Sequence, residues 1–198
     1  MGHFQLLAQP WWVNLLVFIP VVAFATWRGK GIEISRRQLV FAAVFAMAFG
    51  FVEAAVVVYL RAAVGLLPGY AGTLDDVRRL MRENANYPPE ITTFPLSLLT
   101  VEVAREAATM VMLVSVAMLA ATRAREKWAM FLWMFAVWDI SYYAGLWATI
   151  RWPASLTDLD VLFLIPVPWL AQVWFPVLVS GLTMVAVGWS RGGSPAAR

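Results

Sequence analysis

Among the side chains within the long apolar stretches of this sequence, eight form a candidate set for charge pairing or proton transfer. They are Glu53, Arg61, Glu102, Arg105, Glu106, Asp139, Tyr142 and Tyr143. An aspartate or arginine at the centre of a membrane helix costs about 2.5–3.5 kcal/mol on the insertion scale. Several unpaired charges would together cost about 10 kcal/mol, which is comparable with the stability of a whole domain. We therefore expect these groups to pair with one another.

Helical spacing places the polar side chains in sets. Glu102, Arg105 and Glu106 follow an i, i+3, i+4 pattern, and Asp139 is followed by two tyrosines at the same intervals. At about 1.5 Å rise per residue, Asp139 lies about 17 Å into its apolar stretch and Glu106 about 15 Å into its own. Glu53 lies at a similar depth. The sequence therefore predicts one shared cluster in the middle and outer half of a helix bundle.

The chemistry of this predicted cluster has two interpretations. Arg105 is the natural hub because a guanidinium can hold a carboxylate with two hydrogen bonds. Four acids are set against Arg105 and Arg61, so we expect at least one acid to hold a proton or a cation to lie among them. The cluster is then a proton or cation pathway, or a polar pocket for a small solute. Alternatively, it is a static ion-pair network that fixes helix register.

Several other kinds of site are excluded by residue types. The chain has no cysteine, and its one histidine, His3, lies near the N-terminus. Thiolate chemistry, interior histidine-ligated metals and a Ser-His-Asp hydrolase are therefore excluded. A carboxylate-only site for Mg²⁺, Mn²⁺ or Ca²⁺ is chemically possible, but no ligand motif supports it. We expect no catalytic residues, no metal and no cofactor, and a bound lipid is compatible with the sequence.

Composition indicates which elements carry these residues. Hydrophobic residues make up 62% of the 198, and charged residues 14%. A soluble domain has about 45–50% apolar and about 25% charged residues, so lipid is the solvent that fits. The sequence predicts an all-α, polytopic membrane protein: one transmembrane domain, 1–198, built as a bundle of five transmembrane helices. The predicted spans are about 11–27, 38–67, 96–121, 128–150 and 161–189. The fifth contains several prolines, and its segment LIPVPW is a candidate for an extended entry.

Basic residues predict the orientation of these spans. Nine fall at the ends that alternate spans place on one side: Arg28, Lys30, Arg36, Arg37, Arg123, Arg125, Lys127, Arg191 and Arg198. The positive-inside rule makes this side cytoplasmic, so the N-terminus is expected outside and the C-terminus in the cytoplasm. The membrane is then a plasma membrane or a bacterial inner membrane. In the outer loop between the second and third spans, TLDDVRRLMREN predicts a short amphipathic surface helix.

Three functions from different classes follow. The first is a non-catalytic accessory or assembly subunit of a larger membrane protein complex, with other subunits or a second copy as partners and no nucleic acid. The second is a small proton- or cation-coupled transporter or channel that uses the polar cluster. The third is a membrane enzyme acting on lipid. A face of small residues on the second span (Ala42, Ala46, Gly50, Ala54) predicts close helix contact, within the chain or with another protein.

Overall fold

The computed structural model describes residues 6–63, 73, 75 and 96–191. Within them, a 3-10 helix (Trp11–Val17) continues into α1 (Phe18–Trp27). It is followed by α2 (Arg36–Ala63), α3 (Leu96–Ala120), α4 (Ala124–Ile150), β1 (Leu159–Phe163), β2 (Trp169–Gln172) and α5 (Trp174–Ser190). The predicted surface helix of the outer loop lies outside the described residues, apart from Thr73 and Asp75. The chain is mostly helical.

Three of the described helices are long and apolar enough to cross a membrane. They are α2 over Arg36–Leu60, α3 and α4, with 25, 25 and 27 residues and mean hydropathies of 2.3, 1.6 and 1.2. About 20 apolar residues suffice for one crossing. These helices indicate a membrane location. Trp11–Trp27 and Trp174–Ser190 are shorter apolar helices.

The predicted fifth helical span is wrong in its first part. Residues 159–172 form an antiparallel hairpin of β1 and β2, with Asp160 opposite Ala171 and an irregular register between Val161 and Phe163. The helix begins only at Trp174. The reason lies in Pro166 and Pro168, which lack a backbone N–H and cannot continue a helix. A purely all-α description is therefore incomplete.

Small residues let α2 and α4 pack closely. A Cβ added at Gly50 would lie 2.6 Å from the carbonyl oxygen of Trp138 and 2.9 Å from Cβ of Ser141. A Cβ added at Gly145 would lie 2.9 Å from Cβ of Ala54. The predicted small-residue face of the second span thus makes its close contact within the chain.

At the basic end of the molecule, contacts join the ends of the helices. The Ile32 amide donates to the Ser190 carbonyl at 3.1 Å, and Gln38 Nε2 donates to the Ala120 carbonyl at 2.9 Å. Arg123 pairs with Glu33 at 2.7 Å. The hydrogen bond and charge of this guanidinium lower the pKa of Glu33, and Glu33 in turn raises the pKa of Arg123. The ends of α1, α3 and α5 therefore meet the starts of α2 and α4.

At the opposite end, the N-terminal segment holds the hairpin. Gln9 and Leu170 exchange two backbone hydrogen bonds of 2.7 Å, and the rings of Trp12 and Trp169 meet edge to face at 5.0 Å. The Asp158 carboxylate accepts the Ala154 amide at 2.7 Å in the turn that precedes β1. From this end the hairpin enters the bundle, because Asp160 contacts Tyr143 and Phe163 reaches Phe135, about two turns deeper along α4.

Candidate functional site

The hairpin and four helices form the walls of a cavity of about 160 Å³. It is lined from α2, α3, α4, β1 and α5, with further contributions from the 3-10 helix and Trp169. Seven of the eight sequence-predicted residues line it: Glu53, Glu102, Arg105, Glu106, Asp139, Tyr142 and Tyr143. The eighth, Arg61, belongs to α2, and its side chain is outside the described part of the structure. Residues that are up to 90 positions apart in sequence thus share one site.

Arg105 connects α2 and α3 on one wall of the cavity. Its guanidinium forms ion pairs with Glu53 and with Glu102, and its Nε donates to Glu102 Oε2 at 3.0 Å. Thr109, one turn further along α3, donates its hydroxyl to Glu53 Oε2 at 3.3 Å. The spacing of Glu102, Arg105 and Thr109 on one helical face makes this arrangement possible. Arg105 therefore balances two of the acids, buried Glu53 and partly buried Glu102.

Glu106 joins α3 to the tip of the hairpin. Its Oε2 accepts the backbone amide of Leu164 at 2.8 Å. Irregular backbone at membrane depth is tolerated only where protein groups satisfy its polar atoms or where it lines a cavity. Pro166 and Pro168 bring no N–H to the same turn, which removes two donors that would need partners. Glu106 therefore holds the tip of the hairpin against α3 through this hydrogen bond.

Two aspartates complete the acidic wall. Asp139, in the middle of α4, accepts the Ser180 hydroxyl of α5 at 2.7 Å. Asp160, on β1, accepts the Tyr143 hydroxyl at 2.9 Å. Both aspartates are buried. Each carboxylate thus links α4 to a different element.

Aromatic side chains form much of the remaining wall. Phe135, Trp138 and Tyr142 follow one face of α4 with ring centroids 5.5 and 6.3 Å apart. Phe163 of the hairpin stacks on Phe135 at 6.3 Å and contacts Trp138. The indole nitrogens of Trp138 and Trp169 are buried and have no hydrogen-bond partner among the described residues. Both indole nitrogens are therefore enclosed by the packing around the cavity.

Acids outnumber cations around the cavity. Among its described lining residues, Arg105 is the one basic side chain and five carry carboxyl groups. The five acids are Glu53, Glu102, Glu106, Asp139 and Asp160. In the described part of the chain no three acids are grouped closely enough to hold a metal ion. The acids are therefore spread over the wall.

Sequence reasoning missed three contributors to this site. The predicted spans 128–150 and 161–189 leave Asp160 in the loop between them, and the sequence pattern indicates neither Ser180 nor the Leu164 amide. The alternation Asp158, Leu159, Asp160, followed by aromatic residues and two prolines, is a strand and hairpin signal that could have found Asp160. Nothing in the sequence marks a backbone amide as the partner of Glu106.

The chain was compared with known proteins at three levels. No protein-family model matches it, no curated protein matches it, and no solved structure matches it.

Proposed function

We propose that this chain is a small cation-handling membrane transporter whose solute occupies the acid-lined cavity. The observation that carries the proposal is the charge imbalance: among the described residues around the cavity there are five carboxyl groups and one guanidinium. Charges inside a membrane are costly unless they are compensated, and such residues mark ion and substrate pathways. A cation from solution would compensate the excess of acid.

The hairpin favours transport over a purely static network. An ion-pair network needs only rigid helices, whereas this cavity is walled in part by non-helical backbone held through Glu106. Non-helical segments at membrane depth line the solute sites of many transporters.

We propose five crossings, with the N-terminus outside and the C-terminus cytoplasmic. Trp11–Trp27 spans about 29 Å, because its first seven residues are a 3-10 helix with a larger rise. Helix α5 spans about 26 Å, and the preceding hairpin extends that crossing toward the hydrocarbon thickness of about 30 Å. The meeting of alternate helix ends at the basic end is consistent with this alternation.

Single cysteines test this topology in a chain that has none. Gly29→Cys and Ala154→Cys introduce thiols at exposed positions at the two ends. A membrane-impermeant maleimide should label Ala154→Cys in intact cells and Gly29→Cys only in inverted vesicles. Labelling of both from the same side contradicts the proposed topology.

Charge displacement on a solid-supported membrane tests the function. Proteoliposomes of the full chain are exposed to steps in protons, sodium, potassium and ammonium compounds. We expect a transient current with at least one cation, which Asp139→Asn abolishes and the surface variant Glu33→Gln retains. The absence of current with every cation, or an unchanged current in Asp139→Asn, contradicts the proposal.

A second candidate is the accessory or assembly subunit. The observation that favours it is the sparse packing of α3, of whose apolar stretch only 22% is buried, against 56% for α4. Its exposed side chains include Val101, Val111 and Leu119. The exposed face of α3 is apolar, so it is covered by lipid, by another subunit or by a second copy of this chain. Stoichiometric co-purification of another membrane protein in mild detergent would support this candidate, and a monodisperse free monomer would contradict it.

A further inference from the structure

We propose that a groove between α1 and α4, at the basic end of the molecule, binds an anionic phospholipid. The phosphate group lies between Lys30 and Arg125, and an acyl chain follows the apolar faces of the two helices. This surface is separate from the acid-lined cavity, so the inference does not rest on the cation-handling function.

The groove is formed by one face of the N-terminal helical segment and one face of α4. The apolar part of its lining includes Leu15, Phe18, Val22, Thr26, Trp128 and Leu132. The Thr26 hydroxyl donates to the Val22 carbonyl of its own helix at 2.8 Å, so this face presents an apolar surface. The side chains of Phe18 and Val22 are 56% and 57% exposed. The groove is therefore open to the lipid that surrounds the bundle.

Two cations line the same groove, and neither has a partner among the described residues. Lys30 follows α1 and is exposed, and Arg125 lies in the first turn of α4 and is partly buried. Neither forms an ion pair or a hydrogen bond within the described part of the chain. The described acids at this end, Glu33 and Glu126, both pair with Arg123, and no acid is among the described lining residues. The charge of the groove is therefore complementary to an anion.

The length of the groove matches the depth of one leaflet. From Leu15 to Thr26 the chain rises about 18 Å, because its first residues belong to the 3-10 helix. Half of the hydrocarbon core is about 15 Å. Trp128 is 57% exposed and lies one turn after Arg125, and tryptophans concentrate at the level of the headgroups. The two cations are therefore at phosphate level, and the apolar faces are at the depth of the acyl chains.

A phospholipid accounts for both parts of the groove. A soluble anion would use only Lys30 and Arg125, whereas the groove, of about 620 Å³, continues past them between apolar side chains. The topology proposed above places this end in the cytoplasm. Anionic lipids are enriched in the cytoplasmic leaflet, and basic pockets between helices on that side bind their headgroups. We therefore assign the groove to an anionic lipid of that leaflet.

Native mass spectrometry of the purified, delipidated full chain tests the assignment with matched probes. Dioleoylphosphatidylglycerol is compared with dioleoylphosphatidylcholine, which has the same chains and no net charge, and with glycerophosphoglycerol, which has no chains. We expect phosphatidylglycerol to bind at least about 10-fold more tightly than phosphatidylcholine, because two cations meet its phosphate. Glycerophosphoglycerol should not bind at the same concentration, because it buries no apolar surface.

One pair of variants tests the charges. Lys30→Gln/Arg125→Gln should weaken the binding of phosphatidylglycerol about 30-fold, or about 5-fold for each cation, and leave phosphatidylcholine unchanged. Arg36→Gln/Arg37→Gln is the matched control, because it removes the same charge from two exposed residues of this end that do not line the groove. It should weaken binding less than about 3-fold, since solvent screens these charges.

A second pair of variants tests the apolar part without changing charge. Val22→Trp fills the groove and should weaken phosphatidylglycerol at least about 10-fold, because the acyl chain loses its apolar contacts. Val21→Trp is the matched control, since Val21 is 59% exposed on the same helix and does not line the groove. It should bind phosphatidylglycerol as the natural chain does. Both side chains are more than half exposed, so neither change disturbs the core.

Three results would overturn the proposal. They are equal binding of the two phospholipids, an equal loss of binding in the two charge variants, and equal binding in Val22→Trp and Val21→Trp. Binding of glycerophosphoglycerol as tight as that of phosphatidylglycerol would replace the lipid with a soluble anion. A co-purifying membrane protein that Val22→Trp releases, with phosphatidylglycerol binding unchanged, would replace the lipid with a partner helix.

Discussion

Ion pairs occur at two levels of this molecule, and their surroundings differ. At the basic end, Arg123 and Glu33 pair with side chains that are 58% and 62% exposed. In the middle of the bundle, Arg105 and Glu53 pair with side chains that are 20% and 8% exposed. The first pair lies in a loop contact, whereas the second connects two long apolar helices.

The different surroundings explain why the loss of an ion pair should change the stability by different amounts at the two levels. Water replaces a lost partner at the exposed end, so a pair there contributes little to stability. In the interior, a charge that loses its partner keeps its desolvation cost, and breaking such a pair is strongly destabilising. The interior charges are therefore expected to affect the stability of the molecule more than the exposed charges do.

The largest effect is expected from removing the interior hub. Arg105→Met should lower the free energy of unfolding by about 3–5 kcal/mol, because Glu53 and Glu102 lose their shared partner. Neutralising both acids in the same variant, with Glu53→Gln and Glu102→Gln, should recover much of the loss. Unfolding by SDS in bicelles measures both values. A loss below that of Glu33→Gln would remove the distinction between the two levels.

The next largest effect is expected where α2 and α4 pack most closely. Gly50→Ala places a methyl group 2.6 Å from a backbone oxygen, so the helices must separate, at a cost of about 3 kcal/mol. Gly181→Ala is the matched control, because a Cβ there meets nothing within 4 Å. It should be neutral or slightly stabilising, since alanine favours a helix. Equal effects of the two variants would contradict the described packing.

A smaller effect is expected from the contact of Glu106 with the hairpin. Glu106→Leu leaves the Leu164 amide unpaired at membrane depth and should cost about 2 kcal/mol. Glu106→Gln keeps an oxygen that can accept this amide and should cost less. The same unfolding assay compares the two variants. Equal losses would indicate that the charge of Glu106, rather than its hydrogen bond, stabilises the hairpin.

The smallest effect is expected at the exposed pair. Because Arg123 lowers the pKa of Glu33, the pair stabilises the fold when Glu33 is ionised. Its contribution is present at neutral pH and is lost as the pH falls through the lowered pKa. Glu33→Gln should therefore lower the melting temperature slightly at pH 7 and by less at pH 3. A larger decrease at pH 3 than at pH 7 would have the wrong sign.

Much of the helical fold is readable from the sequence. Apolar runs bounded by Arg36, Pro95 and Arg123 predict where α2, α3 and α4 lie, because length and hydropathy suffice for membrane helices. The polar face of α3 follows from the spacing of Glu102, Arg105 and Glu106. These features depend on residues that are close together in the chain, so the sequence alone is enough to predict them.

The rest of the site depends on tertiary structure. Asp160 joins the cavity only because its strand enters the bundle, and Ser180 becomes the partner of Asp139 only through the packing of α5 on α4. The run from Val161 to Trp169 is apolar enough to resemble a membrane span, and hydropathy alone cannot distinguish it from a hairpin buried among helices. Its two prolines are the sequence feature that argues against a continuous helix in this segment.

The most direct test of this account is whether the hairpin reaches the middle of α4. The double variant Phe135→Cys/Phe163→Cys places two thiols where stacked rings lie with centroids 6.3 Å apart, in a chain without other cysteines. Trp128→Cys/Phe163→Cys is the control, since Trp128 lies about 10 Å further along the helix. A short bifunctional thiol reagent, applied in native membranes and read by mass spectrometry, should cross-link the first pair efficiently and the control pair poorly. Failure to cross-link the first pair, or equal cross-linking of both, would contradict a cavity built around an inserted hairpin.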